Sequence, residues 1–92
     1  MYKVVFTKEA KDCFDSILEY IAQYDFDTAV SFLASLEAKA QSLSNFPMRG
    51  VRYPNNERKI IWKKYLIYYH IDEQKKLVSI ETIRHGAMKE RK

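Results

Sequence analysis

The residue pattern predicts an α+β fold of order β-α-α-β-β-β, a helical hairpin packed on one face of a small, mainly antiparallel sheet. Two long stretches repeat apolar residues at three- and four-residue steps, the signature of amphipathic helices. Four short runs, "YKVVF", "RKIIW", "YLIYYHI" and "KLVSIETI", are β-branched and aromatic and read as strands. No helical stretch separates the last three, which argues against a doubly wound parallel sheet.

The elements follow in order. Tyr2 to Phe6 is the first strand. Thr7 is placed as a helix N-cap, with Glu9 and Asp12 near the start, where the helix dipole favours negative charge. Ala10, Cys13, Phe14, Ile17, Leu18 and Ile21 then form one apolar stripe, which Tyr24 continues and "YDFD" breaks. Cys13 lies on that stripe and is expected as a small core residue rather than a nucleophile. Asp27 is expected to cap a second helix. Ala29, Phe32, Leu33, Leu36, Ala40 and Leu43 share its buried face, and Asn45 and Pro47 end it. So short a connection predicts an antiparallel pair.

"PMRGVRYPNNE" holds both prolines and one of the two glycines and reads as loop. Arg58–Trp62, Tyr65–Ile71 and Lys76–Ile83 are expected to form a meander, turning at Lys63-Lys64 and at Asp72–Lys75. In the last strand Val78, Ile80 and Thr82 are expected to face the helices. Leu77, Ser79, Glu81 and Ile83 are expected on the far side, which is open to solvent.

Ninety-two residues with 47% hydrophobic content are enough for one domain and one core. No apolar run approaches the ~20 residues that span a bilayer, and the N-terminus does not read as a signal peptide. The single cysteine makes no internal disulfide and suits a reducing compartment, so a cytoplasmic protein with no membrane association is expected. Charge is divided along the chain. Residues 1–46 carry four basic and seven acidic groups, a net of −3, and residues 47–92 carry twelve basic and five acidic, a net of +7. The basic half favours an acidic or polyanionic partner.

Several chemistries lack their residues. Two glycines build neither a P-loop nor a dinucleotide turn. One cysteine and two histidines, His70 and His85, give no zinc spacing, so neither metal nor cofactor is expected. His70 alternates along its strand and is expected as a half-buried strand histidine. What remains is a basic, aromatic-laced C-terminal half that includes Arg58, Lys63, Lys64, Arg84, His85 and Lys89. Basic groups hold phosphates and aromatics stack on bases, but Tyr and Trp at alternating strand positions equally fill cores.

In this order the elements resemble the RelE/ParE superfamily of bacterial toxins, the toxic halves of type II toxin–antitoxin pairs. The resemblance covers residues 1–92 as a single toxin domain. It rests on "TKEAKDCFDSILEYI", "AVSFLASLEAKAQSLSNFP", the "RG" of the loop, "ERKIIW", "YLIYYHID" and "VSIETIRHGAMK". It implies a small cytoplasmic toxin, of a kind associated with plasmid stabilization, neutralised by a cognate antitoxin that wraps its surface.

The two branches imply different chemistry. The RelE-like branch cleaves messenger RNA on the ribosome. There His85 would be the catalytic acid or base, with Arg58, Lys63 and Arg84 holding phosphates. Such nucleases commonly place an arginine in the strand where this chain has Leu66, and a leucine stabilises no phosphate charge. The ParE-like branch binds DNA gyrase and is not a nuclease. Its aliphatic strand and its histidine–glycine pair followed by basic residues match "YLIYYHID" and "RHGAMKERK" better, although Met88 stands where many members have an arginine. The ParE-like resemblance is the nearer. It implies a target-binding set of Arg58, Lys63, Lys64, Arg84, His85 and Lys89. A third reading is an inactive member retained only as an antitoxin-binding fold.

Overall fold

The computed structural model describes residues 1–86. Strand β1 (Lys3–Phe6) leads into helices α1 (Lys8–Tyr24) and α2 (Phe26–Asn45). Strands β2 (Val51–Tyr53), β3 (Glu57–Trp62), β4 (Tyr65–Asp72) and β5 (Leu77–His85) follow, with single 3-10 turns at Pro47–Arg49 and Pro54–Asn56. The sheet order is β1-β5-β4-β3-β2. Only β1 and β5 pair in parallel, and the hairpin forms the connection that carries the chain back to the sheet. No helix is long and apolar enough to cross a membrane.

Thr7 caps α1 as its sequence position suggests. Its Oγ1 accepts from the Ala10 N–H at 3.1 Å and donates to the Glu81 carbonyl at 3.0 Å, so one hydroxyl both starts the helix and ties it to β5. The second cap falls on Asp25, not Asp27. Asp25 ends α1 and begins α2, and its carboxylate accepts from the N–H groups of Asp27 and Thr28. A one-residue joint leaves no other position with extended backbone, so Asp27 becomes a first-turn residue. The Thr28 hydroxyl also donates to Asp25, at 2.8 Å, and this bond holds the Asp25 carboxyl below its ordinary pKa.

The core lies between the hairpin and one sheet face. Ile67, Tyr69 and Ile71 of β4 and Val78, Ile80 and Ile83 of β5 meet Phe32, Leu36 and Leu43 of α2 and Ala10 of α1. Each fully buried aliphatic side chain among these stabilises the fold by about 1.5–3 kcal/mol. On β4 the alternation is complete: Tyr65, Ile67, Tyr69 and Ile71 are buried, and Leu66, Tyr68, His70 and Asp72 look to the open face.

Two features depart from the expected meander. The proline-rich loop contains a three-residue strand, β2, pairing Val51 with Lys59 and Tyr53 with Glu57. A strand this short, flanked by prolines, carries no periodicity to read. The last strand changes phase, because Tyr68 pairs with Thr82 and Tyr69 with Ile80, leaving Glu81 as an extra residue. This β-bulge turns Ile83 into the core, opposite Ile67, where uninterrupted alternation would have put it outside.

Candidate functional site

The bulge decides where the chain's C-terminal chemistry points. Beyond Glu81 the register sets Arg84 opposite Leu66 and His85 opposite Tyr65. Tyr65 is buried toward the helices, so His85 lies on the helix side and Arg84, exposed, lies on the open face. The His85 ring stands edge-on to Tyr65, with centroids 5.3 Å apart at 80°. Burial raises the Tyr65 phenol pKa, and Tyr20 adds to the shift.

Lys63 and Lys64 form the two-residue turn between β3 and β4, and Lys63 takes a left-handed φ of 56°. The Gly86 N–H donates to the Lys64 carbonyl at 2.7 Å, which locks the end of β5 beside this turn. A Cβ on Gly86 would come within 3.0 Å of that oxygen, so the absence of a side chain permits the approach. Lys63 also reaches over the Trp62 ring, with Nζ 6.0 Å from its centroid.

These residues form one wall of a groove of about 790 Å³ between the sheet end and the hairpin. Ile17, Ile21, Phe32, Tyr65 and Ile83 make an apolar floor, and Lys63, Lys64 and His85 stand along one side. Cys13, Ser16, Tyr20, Thr28 and Ser31 complete the lining, and among the described residues no carboxylate takes part. Cys13 is half-buried and packs against the core as its place on the stripe suggests, with its thiol 3.7 Å from the Thr82 hydroxyl. An apolar floor with a cationic wall suits an amphipathic protein segment carrying acidic side chains.

Of the six residues singled out in sequence, Lys63, Lys64 and His85 converge here, and Arg84 sits at the same sheet end on the opposite face. Arg58 serves a different place. Its guanidinium donates to the carbonyls of Met48 at 3.0 Å and Gly50 at 2.9 Å, beside Tyr69, and so holds the loop before β2. Lys89 lies outside the described residues. Tyr20, Ser16 and Cys13 also line the groove, and nothing specific marks them for it in the sequence. Their only sequence signal is a three- and four-residue spacing along the flank of the α1 stripe. Among the described residues no cluster of three or more His, Cys, Asp or Glu is placed to hold a metal.

The ParE toxin family model (ParE toxin of the type II toxin–antitoxin system parDE) matches residues 4–90. The chain belongs to the ParE toxin family. Similar solved structures carry the same fold. A chain of the chromosomal ParDE toxin–antitoxin system of P. aeruginosa superposes with a TM-score of 0.75 at 14% identity, covering 92% of this chain and 96% of that one. A chain of the RelBE2 toxin–antitoxin complex of Mycobacterium tuberculosis gives 0.67 at 24% identity over 91% and 96%. One from the intact E. coli RelBE complex gives 0.66 at 16% identity over 99% and 100%. No curated protein matches the chain in sequence. The chain is thus a RelE/ParE-superfamily toxin of a type II toxin–antitoxin system.

Proposed function

We propose that this toxin acts by binding DNA gyrase without performing chemistry, and that a cognate antitoxin neutralises it in the cytoplasm. One observation carries the reading. Two of the three cations that a nuclease would gather with His85 on one phosphate point away from it, Arg84 to the open face and Arg58 into loop carbonyls, which leaves Lys63 beside His85 in the groove. General acid–base cleavage needs its proton donor, acceptor and charge-stabilising cation within hydrogen-bond reach of one reacting centre. Leu66, directly across from Arg84, adds no charge to the open face.

Binding asks less of the geometry. The turn lysines and the Arg84 side of the sheet end present positive charge that steers an acidic partner, and the groove offers the apolar area that holds it. An antitoxin has a second place to bind along β1, which among the described residues pairs with β5 alone. Beside it lies an apolar groove of about 510 Å³ lined by Val4, Phe6, Phe14, Leu33 and Leu36. Strand addition to β1 with side chains seated there would cover the edge. The test is DNA supercoiling by purified gyrase. Inhibition that rises with toxin and is reversed by the product of the neighbouring reading frame supports the reading, and undiminished supercoiling in excess toxin refutes it.

A further inference from the structure

Four exposed large apolar side chains gather at the turn of the helical hairpin. Tyr20 is 63% exposed, Tyr24 74%, Phe26 71% and Val30 51%. The Tyr20 and Tyr24 rings contact edge-on at 5.2 Å, and Phe26 and Val30 are neighbours at helical spacing. Neither pair contributes to the core. Their exposure follows from the fold, because the hairpin reaches its turn after α1 has buried only Ala10 fully. Exposed aromatic groups gathered at one end of a small protein mark a contact surface.

Charge states what kind of partner fits. From residue 12 to residue 38 the chain has six acidic residues, Asp12, Asp15, Glu19, Asp25, Asp27 and Glu37, and no lysine or arginine. The hairpin therefore opposes in sign the +7 half that supplies the turn lysines and Arg84. A second copy presenting the same face would meet like charge, and a nucleic acid backbone would be repelled outright. Arginine and lysine, by contrast, gain twice here. They neutralise Glu19 and Asp27, and they can lie over the exposed faces of Tyr20, Tyr24 and Phe26.

We infer that the hairpin turn is a docking surface for a basic, arginine- or lysine-bearing protein segment, opposite in charge to the cationic wall at Lys63 and Lys64 and adjoining that groove only at Tyr20, Ile21 and Thr28. The inference stands whether the toxin's target is gyrase or the ribosome. In either case the groove takes acidic protein and the hairpin turn takes basic protein.

The experiment uses the full-length toxin and two synthetic amphipathic peptides, identical in leucine and alanine but carrying arginine in one and glutamate in the other. Amide chemical shifts report where each binds. The arginine peptide is expected to shift the amides of residues 22–27, which lie outside the groove lining, and binding is expected to weaken as salt rises. Tyr24→Ser combined with Phe26→Ser is expected to weaken that peptide at least about tenfold. Glu19→Lys, which leaves the aromatics in place, is expected to weaken it several-fold through charge alone. Circular dichroism melts confirm that both variants fold, since all three positions are exposed. The inference is overturned if the glutamate peptide shifts residues 22–27 as strongly, if the arginine peptide leaves them unmoved, or if Glu19→Lys binds it unchanged.

Discussion

Removing one oxygen from Tyr69 tests how the basic loop is held. Tyr69 is 1% exposed, and its hydroxyl donates to the Pro47 carbonyl at 2.8 Å and accepts from the Gly50 N–H at 3.0 Å. Tyr69→Phe keeps the ring in the core and deletes both bonds. Each contributes a net ~0.5–1.5 kcal/mol, and the carbonyl and N–H left behind lose their partner away from water, so about 2 kcal/mol of destabilisation is expected. For a domain of this length that lowers the melting temperature by about 8–16 °C. The assay is urea denaturation followed by circular dichroism, with amide exchange at Gly50 as the local readout. The exchange rate at Gly50 is expected to rise about thirtyfold, the equivalent of 2 kcal/mol. A loss under about 0.5 kcal/mol with unchanged Gly50 exchange would show that Arg58 alone holds the loop, and the assigned role of the hydroxyl would be wrong.

The same phenol sets a pH dependence. Burial raises the Tyr69 pKa above 10.0, outweighing the Gly50 N–H and the nearby Arg58 and Arg49, which lower it. The raised value stabilises the fold fully below pH 10.0, and that stability is lost as pH climbs from there through the folded pKa. Tyr69→Phe is expected to remove this part of the alkaline transition, leaving the share that belongs to Tyr65. Gly50→Ala is expected to cost about 1–3 kcal/mol in the same denaturation assay, since its Cβ would sit 2.6 Å from the Tyr69 hydroxyl and 2.7 Å from the Lys59 carbonyl. Thr7→Ala, losing a cap and a bond to β5, is expected to cost about 1–2 kcal/mol, with faster exchange at Ala10. Lys63→Ala with Lys64→Ala is expected to leave thermal stability unchanged and to weaken target binding in a salt-dependent way, measured by titration calorimetry at two ionic strengths.

Much of the fold was readable because its signals are local and repeated. The α1 stripe from Ala10 to Ile21 and the alternation of Tyr65, Ile67, Tyr69 and Ile71 announce which faces are buried before any contact is known. The rest depends on pairing across the chain. Nothing near Glu81 marks a bulge, yet the bulge decides that His85 faces the helices and Arg84 the open side, the reverse of uninterrupted alternation. Arg58 and Tyr69 read as a basic group and an aromatic in a strand, and their real work, holding loop carbonyls on residues 47–50, appears only when β3 and β4 lie beside that loop. Asp25 and Asp27 are equivalent capping candidates by type, and the one-residue joint between helices chooses the first. At the site, the turn lysines were legible from composition, while the apolar floor beneath them required the hairpin to be laid on the sheet.

On the proposed function the toxin engages its target by complementarity and His85 moves no proton. Gyrase supercoiling measured side by side with wild-type toxin and His85→Ala tests it most directly. Both are expected to inhibit, with the half-maximal concentration of the variant within about tenfold of wild type, a range set by the loss of the edge contact on Tyr65. Wild-type toxin that leaves gyrase untouched but cleaves messenger RNA on ribosomes, with cleavage abolished by His85→Ala, would contradict it.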